Sequence, residues 1–248
     1  IGKSVTLAVL ANWWIKTRKN GRVIATAVKD QSIREIFWRE FRLFYFRSRR
    51  PIGGNIHLTA LHGLQFEDGR QVIGLTAKET ESFGGWSGPE VLYLVDEASG
   101  VREDIKEAID GGMAADGCKC VAMANGLRTS GWFFESQTSR AAAWSTIAIA
   151  STETPNITGE EEPIPGLADK LWLDEMRTEY GPEPEKDPVY QVRVMGLFPS
   201  DDSSSIVPLS LAIDAAERWL HTPEDGRLFL GLDVGYEGDD ESVAQPRR

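Results

Sequence analysis

A short aliphatic run, Val91–Val95, stops abruptly at two adjacent carboxylates, Asp96 and Glu97, and this feature constrains the fold more than any other. Apolar runs of this length are typical of strands that are buried on both faces, at the centre of a parallel sheet. Because ligands of such sheets bind beyond the carboxyl ends of the strands, both carboxylates should lie at the ligand-binding edge. A strand that ends in a solvated acidic turn gives the same pattern, so these residues alone leave both interpretations open.

The first residues of the chain favour the ligand-binding interpretation. Gly2-Lys3-Ser4 matches the last third of the phosphate-binding loop G-x-x-x-x-G-K-[ST], and an apolar segment suited to a helix follows directly. Such a helix points its amino-terminal N–H groups at the bound phosphates. The glycine-rich first part of the loop and an initiator methionine are absent, so we expect a fragment that begins inside its own phosphate loop.

Together, the two motifs predict a P-loop ATPase. In that class a lysine contacts the phosphates, while a Ser or Thr hydroxyl and an aspartate hold Mg²⁺. Lys3, Ser4 and Asp96 occupy those positions here. The neighbouring Glu97 is suited to orient and deprotonate the attacking water.

The charged residues are distributed unevenly along the chain. The net charge of −11 argues weakly against nucleic acid as a partner. However, residues 1–50 hold 12 Lys/Arg and 3 Asp/Glu, whereas residues 51–248 hold 15 and 35. This asymmetry is compatible with one basic face on an acidic protein that contacts DNA, and equally with an ordinary solvated helix surface.

Composition argues against two other classes of protein. No run of about 18 apolar residues exists, so we expect no membrane span, and no signal peptide is visible. Cys118 and Cys120 are the only cysteines, and no second Cys/His cluster with ligand spacing accompanies them. We therefore expect two reduced thiols on one face of a strand rather than metal ligands.

Helical and strand patterns alternate over the first 150 residues, which predicts an α/β fold with a mostly parallel sheet flanked by helices. The predicted helices are 3–19, 30–47, 101–110 and 131–140, and the predicted strands are 22–28, 56–59, 64–66, 70–76, 91–96, 118–124 and 144–150. Beyond them, helices are predicted near 169–180, 188–195 and 209–219, and a buried strand at 227–235. We expect an ATPase domain (1–150), a helical linker or subdomain (151–226) and the start of a further domain (227–248).

The motifs, in this order, resemble the large terminase subunit of tailed bacteriophages, the motor that packages DNA into procapsids. The resemblance is carried by Gly2-Lys3-Ser4, Ala25–Gln31 with Ile36–Glu40, Val95–Val101, Ala122–Gly126 with Gly131–Phe134, and Tyr190–Pro199 with Leu232–Gly235 and Gly238–Ser242. It covers nearly the whole chain and depends on the ordered set, since no single motif is diagnostic. The resemblance implies a P-loop NTPase domain of the RecA/ASCE type, followed by a nuclease domain with an RNase H-like fold.

For the ATPase site, the resemblance implies a role for each matching position. Gly2, Lys3 and Ser4 would bind ATP, with Lys3 at the β- and γ-phosphates and Ser4 also at Mg²⁺. Asp96 would complete the Mg²⁺ shell. Glu97 would be the catalytic glutamate.

Other polar residues admit both a role in the ATPase site and an ordinary structural explanation. Asn125 falls in the family motif that senses the γ-phosphate and links hydrolysis to movement, although a turn residue after a strand is an equal alternative. Gln31 would lie near the nucleotide, unless it is simply polar because it begins a helix. The loop Phe83–Pro89 lacks the arginine that often stabilises the transition state in such motors. Arg102 and Arg128 are candidates to act from a neighbouring subunit, or are surface residues.

Asp233 matches the first acid of the nuclease cluster, where it would bind a metal ion. Two-metal nucleases need several carboxylates around ions roughly 4 Å apart. The partner acids would fall after Arg248, so we expect an incomplete site. The chain itself should not cut DNA, although the whole protein would.

The resemblance also implies cofactors, partners and location. The cofactors would be ATP and Mg²⁺, and the partners double-stranded DNA, the portal protein and the terminase small subunit. The protein would form a homo-oligomeric ring on the portal, in the host cell cytoplasm and without membrane contact, and would bind mostly DNA phosphates. Two other functions stay open: a helicase-like P-loop ATPase, and a non-catalytic P-loop docking module.

Overall fold

The computed structural model describes residues 2–57, 62–76, 83, 85–159 and 162–199, and the backbone of 229–233 and 243–247. The chain divides into two compact units, Ile1–Asp202 and Ser203–Arg248. In the second unit, β7 (Phe229–Asp233) pairs antiparallel with β8 (Val243–Arg247). The predicted helix 209–219 lies outside the described residues, and the predicted domain borders at 150 and 226 stay predictions.

The first unit contains a six-stranded sheet with the order β2-β3-β4-β1-β5-β6. Its strands are β1 (Gly21–Ala27), β2 (Asn55–Ile56), β3 (His62–Gln65), β4 (Gln71–Thr76), β5 (Glu90–Asp96) and β6 (Lys119–Met123). β4, β1, β5 and β6 pair in parallel, whereas β3 pairs antiparallel with β2 and with β4. The sheet is therefore mixed, because the predicted turn at Glu67–Gly69 reverses the chain between β3 and β4.

Helices of the first unit cover the two faces of this sheet. They are α1 (Lys3–Thr17), α2 (Trp38–Arg47), α3 (Glu103–Gly112), α4 (Trp132–Gln137), α5 (Pro155–Thr158), α6 (Lys170–Glu179) and α7 (Pro188–Arg193). One core cluster joins the sheet to α1 and α2, and a second joins it to α3 and α4. Within the described ranges, no helix is both long and apolar enough to cross a membrane.

Strand β5 lies between the two core clusters, as its aliphatic sequence predicts. Leu92 and Leu94 pack toward α1 and α2, whereas Val91, Tyr93 and Val95 pack toward α3 and α4. All five side chains are at most 2% exposed. β5 pairs in parallel with β1 on one side and β6 on the other, so its carboxyl end lies in the middle of one sheet edge.

The predicted helix 30–47 is confirmed in extent, but it is not uniformly α-helical. A π-helical segment, Ser32–Phe37, precedes α2 without a break in helical backbone geometry. Ile33, Phe37 and Phe41 are buried on the predicted apolar stripe, where they pack in the first core cluster. π-Helical turns are rare and occur frequently near functional sites.

The indole ring of Trp38, at the start of α2, lies against two glycines of the sheet. A methyl group on Gly63 of β3 would lie 1.7 Å from a ring carbon of Trp38, and one on Gly74 of β4 would lie 2.9 Å from its Nε1 atom. The register of β3 against β4 shifts between His62 and Leu64, so Gly63 sits at an irregularity of the ladder. These glycines allow the helix to approach the sheet closely.

The predicted strand 144–150 is wrong. This segment has no regular secondary structure, and Ile147 and Ile149 are 81% and 69% exposed. It does not pair with β6, the last strand of the described sheet. Its carboxyl end is instead linked to the segment after α7 by a hydrogen bond from Ser151 N to Val194 O (2.7 Å). Alternation of apolar and polar residues therefore described a segment that lacks a partner strand.

The two helices predicted after the linker are confirmed as α6 and α7. The side chain of Asp169 accepts a hydrogen bond from Trp172 N at the start of α6. Asp187 accepts hydrogen bonds from Val189 N and Tyr190 N at the start of α7. Both aspartates satisfy backbone donors that a helix start leaves free, which fixes where these helices begin.

Candidate active site

Helix α1 and strand β5 meet through one hydrogen bond at the carboxyl edge of the sheet. Ser4 Oγ donates to Asp96 Oδ2 at 2.8 Å. Asp96 is the last residue of β5 and is 8% exposed, whereas Ser4 is in the first turn of α1. The structure thus brings together the hydroxyl and the carboxylate that the sequence predicts as a pair of oxygen ligands.

The amino terminus of α1 lies beside this pair and has the features of an anion site. Gly2 precedes the helix with φ of +86°, in the left-handed region, and no side chain caps the helix start. The N–H groups of a first turn lack helical acceptors and carry a partial positive charge, which attracts phosphate or carboxylate groups.

Lys3 links the same helix start to the neighbouring strand. Its Nζ atom donates a hydrogen bond to Asn125 Oδ1 at 2.9 Å. Asn125 follows β6, which pairs in parallel with β5, so both chain segments end at the same sheet edge. The structure therefore places the predicted lysine and asparagine in contact, and next to the Ser4–Asp96 pair along the chain and along the sheet.

The loop that carries Asn125 is held from behind by the segment after α7. A methyl group on Gly126 would lie 2.9 Å from both Leu197 O and a ring carbon of Phe198. The Phe198 ring also packs against Phe133 and Phe134 of α4, with centroid distances of 6.0 and 5.0 Å. The backbone at 126 thus touches the backbone of a second segment.

Glu97 has an unusual backbone conformation. Its φ of +53° and ψ of +37° are left-handed, and it is the only non-glycine residue with positive φ among those the structure describes. The Glu97 N–H donates to the Asp96 Oδ1 atom at 3.0 Å. Non-glycine residues in this conformation carry a cost of about 1–3 kcal/mol and cluster at functional sites. The turn directs an exposed carboxylate away from the buried end of β5.

Ser32 is a site residue that the sequence analysis missed. Its Oγ atom donates a long hydrogen bond to Glu97 Oε1, at 3.4 Å, and the residue is 6% exposed. Ser32 begins the π-helical segment after β1, the other parallel neighbour of β5. The signal available in the sequence was a polar residue shortly after a strand beside the central one, because neighbouring parallel strands end at one edge.

Gln31 and the predicted arginines do not join this group of side chains. The Gln31 Nε2 atom donates to Glu35 Oε2 at 2.8 Å, one helical turn further on. Arg102 forms an ion pair with Asp104 beside α3, and Arg128 is exposed in the loop after β6. Their predicted roles at the nucleotide or in a neighbouring subunit stay predictions.

Asp233 is the last residue of β7 in the second unit. Its side chain lies outside the described residues, so its predicted metal site stays a prediction. In the described part of the chain, no three or more His, Cys, Asp or Glu side chains form a group able to hold a metal ion. A metal ion at the carboxyl edge of the first sheet would therefore depend on Ser4, Asp96 and ligands from elsewhere.

The residues at this edge fit a magnesium–nucleotide complex. Mg²⁺ prefers oxygen ligands and is commonly held by one or two protein oxygens together with substrate phosphates and water. Ser4 and Asp96 present two such oxygens within 2.8 Å of each other. The Lys3 ammonium group and the free N–H groups of α1 complement the phosphate charges, and the Glu97 carboxylate remains exposed beside them.

Comparison with known proteins gives one relative with a curated name and one similar solved structure. No family model matches the chain. The chain is 23% identical, over 257 residues, to the probable terminase, large subunit, of Enterobacteria phage P7. That alignment covers 98% of this chain and 49% of the relative, so the chain spans about half the length of the relative.

The solved structure is the large terminase of a thermophilic bacteriophage. It shares 14% identity with a TM-score of 0.46, over 57% of this chain and 35% of that one. The sequence match to the phage P7 relative, by contrast, extends along nearly the whole chain, in agreement with the motif order. The chain is thus similar to a protein named a probable terminase large subunit.

Proposed function

We propose that this protein is an ATP-hydrolysing terminase large subunit that drives double-stranded viral DNA into procapsids. The observation that carries the proposal is the Ser4–Asp96 hydrogen bond, which joins the start of α1 to the end of the central strand. The match to the phage P7 relative supports the same function. Host cytoplasm is the proposed location.

In the proposed mechanism, Lys3 and the first turn of α1 bind the β- and γ-phosphates. Ser4 and Asp96 hold the magnesium ion. When bound, MgATP supplies a γ-phosphoryl group whose charge the ion partly neutralises during transfer to water. Glu97 accepts a hydrogen bond from the attacking water and takes its proton, and the left-handed turn points its carboxylate toward the phosphates.

Ser32 and Asn125 have positioning roles in this mechanism. Ser32 holds the Glu97 carboxylate through its hydroxyl group. Asn125 holds Lys3 until phosphate replaces the amide as the partner of the ammonium group, which makes the asparagine sensitive to the nucleotide. Gln31 is proposed as a further contact of the nucleotide, reached after its side chain leaves Glu35.

The remaining functions come from the resemblance. We propose that the protein assembles as a homo-oligomeric ring on a portal protein and cooperates with a terminase small subunit. Asp233 would bind a metal ion in an RNase H-like nuclease site of the same protein. Loss of Mg²⁺-dependent DNA cleavage in an Asp233→Asn variant would support that site.

Steady-state ATP hydrolysis, with and without double-stranded DNA, tests the proposed ATPase. We expect Glu97→Gln to lower kcat at least about 100-fold while nucleotide binding persists, because a general base contributes a factor of this size. Glu175→Gln is the matched control, since Glu175 is an exposed residue of α6. Nucleotide binding without hydrolysis, in the presence of DNA and portal protein, would instead indicate a docking module. Separation of DNA strands would indicate a helicase.

A further inference from the structure

We propose that one face of α2 binds the phosphate backbone of double-stranded DNA and that its helix joins this surface to the Glu97 carboxylate. The proposal rests on the proposed function and extends it to a particular surface. We name this surface the α2 basic face. It consists of Arg39, Arg42, Leu43, Phe46 and Arg47.

The α2 basic face is an open concavity of about 530 Å³. Arg39 forms an ion pair with Glu40, which also lines the concavity. Arg42 and Arg47 have no hydrogen bond or ion pair to any residue that the structure describes. Two arginines that are free of internal partners can therefore neutralise charges on another molecule.

The same face exposes apolar side chains among its arginines. Phe46 is 67% exposed and Leu43 is 37% exposed, whereas Phe41 on the opposite side of α2 is fully buried. Sequence offsets of three, four, seven and eight residues from Arg39 place the exposed set along one side of the helix. The helix thus has one side committed to the core and one side available for a partner.

The basic surface continues past the end of α2. Lys16 Nζ, near the end of α1, donates hydrogen bonds to Ser48 Oγ at 3.1 Å and to Arg50 O at 3.0 Å. These bonds hold the segment after α2 against α1 and keep the exposed Arg49 and Arg50 beside the α2 basic face. Four of the arginines in residues 39–50 then lie along a short stretch of the surface, with a fifth at its start.

Charge complementarity favours a polyanion as the partner of this surface. Residues 1–50 hold 12 Lys/Arg and 3 Asp/Glu, although the chain as a whole has a net charge of −11. Duplex DNA carries about one negative charge per 1.7 Å of its axis, and the ten residues of α2 span about 15 Å. A row of arginines of this length can therefore contact several phosphates at once, without regard to base sequence.

The helix connects this surface to the candidate active site. Ser32 contacts Glu97 at one end of the helical segment, and Arg47 ends it at the other. Phe37 and Phe41, buried in the first core cluster, fix the helix between these points. DNA contact at the α2 basic face can thus alter the position of Ser32, and with it the position of the Glu97 carboxylate.

The test measures binding of a fluorescent 30-base-pair duplex across a range of salt concentrations. The variant is Arg42→Gln/Arg47→Gln, which removes two charges and keeps two good helix formers. We expect at least about tenfold weaker binding near 100 mM salt and a salt slope reduced by about 2, since each phosphate contact contributes about 0.9. The matched control, Arg177→Gln/Arg193→Gln on α6 and α7, should bind as the unmodified protein does.

A second variant separates charge from folding. Arg42→Lys/Arg47→Lys keeps both charges and should restore most of the duplex affinity and the salt slope. Equal duplex affinity of the Gln variant and the unmodified protein would overturn the proposal. So would tighter binding of single-stranded DNA, or a change in oligomeric state without a change in DNA affinity, which would mark the surface as a contact between copies.

Nucleotide binding by the unmodified protein distinguishes failure of this inference from failure of the proposed function. A protein that binds ATP but no duplex overturns the α2 basic face and leaves the ATPase proposal standing. A protein that binds duplex through Arg42 and Arg47 but no ATP overturns the ATPase proposal. In that outcome the basic face stands as a DNA-binding surface without a motor.

Discussion

The ammonium group of Lys3 lies 2.9 Å from the amide oxygen of Asn125, so a side chain of α1 and one after β6 are joined across the carboxyl edge of the sheet. The bond must exchange when Lys3 contacts a phosphate. The strength of this contact therefore competes with nucleotide binding, and it can be changed from the asparagine side alone.

Asn125→Asp should weaken ATP binding about tenfold, because an aspartate forms a charge-assisted hydrogen bond with Lys3 that is stronger than the bond to an amide. Asn125→Ala removes the competing acceptor and should preserve ATP affinity while lowering kcat. Calorimetric titration with a non-hydrolysable ATP analogue measures the affinity. Equal affinities of the Asp and Ala variants would show that the Lys3–Asn125 bond does not limit binding.

Ser32→Ala should lower kcat about fivefold and leave the KM for ATP unchanged, because a hydrogen bond to the Glu97 carboxylate contributes about 1 kcal/mol. Ser130→Ala, in an exposed position of the loop before α4, is the control. Steady-state hydrolysis over a range of ATP concentrations separates the two constants. A rise in KM without loss of kcat would assign Ser32 to substrate binding instead.

Glu97→Gly should raise the free energy of unfolding by about 1 kcal/mol and abolish hydrolysis, because glycine adopts the left-handed conformation without steric cost. Glu97→Gln loses the same carboxylate but keeps the backbone cost, so its stability should match that of the unmodified protein. Urea unfolding measures both variants. Equal stability of the Gly and Gln variants would mean that the turn carries no strain.

Gly63→Ala should lower the free energy of unfolding by about 1–3 kcal/mol, because the added methyl group meets the Trp38 ring at 1.7 Å and overpacks the core. Gly111→Ala is the matched control. A methyl group there meets no atom within 4 Å, and alanine is the better helix former. A Gly63→Ala protein as stable as the unmodified one would show that the ring moves aside freely.

The stability of the protein should fall between about pH 10 and pH 12, in part because of Tyr93. Burial raises the pKa of its phenol from 10.0 to about 12. Above pH 10 the unfolded chain releases this proton while the folded protein retains it, so the free energy of unfolding falls as the pH rises. Burial raises the pKa of the Cys120 thiol to about 12 as well, which acts in the same direction.

The variant Tyr93→Phe isolates the contribution of this phenol. It loses the hydrogen bond from Tyr93 Oη to Trp86 O at 3.1 Å, and it should be less stable at neutral pH. Its stability should, however, decline less steeply between pH 10 and pH 12. Urea unfolding at intervals of half a pH unit gives both curves, and parallel curves would contradict the assignment.

The sequence predicted the parts of this fold that have strong local signals. The all-apolar run before Asp96 identified the central strand, and Gly2-Lys3-Ser4 identified the helix start that faces it. The proximity of Ser4 and Asp96 followed from the rule that parallel strands end at one edge. The strand at 144–150 was wrong because alternation reports a preference, whereas pairing requires a partner strand.

Other features depend on tertiary contacts that leave no local pattern. The π-helical segment has the apolar spacing of an α-helix, because Ile33 and Phe37 are buried in either geometry. Ser32 has no motif of its own, and only the position of β1 beside β5 brings its hydroxyl to Glu97. The engagement of Gln31 with Glu35 reflects a local competition between side chains that the sequence does not rank.

The close contact of Gly126 with Leu197 and Phe198 sets how far Asn125 can travel. Two stretches of backbone touch there without an intervening side chain, so a displacement of one is passed to the other without loss in a flexible linker. The compliance of the loop after β6 is therefore that of two segments acting together. A stimulus that moves one amide group at the sheet edge must deform the chain near residue 197 as well.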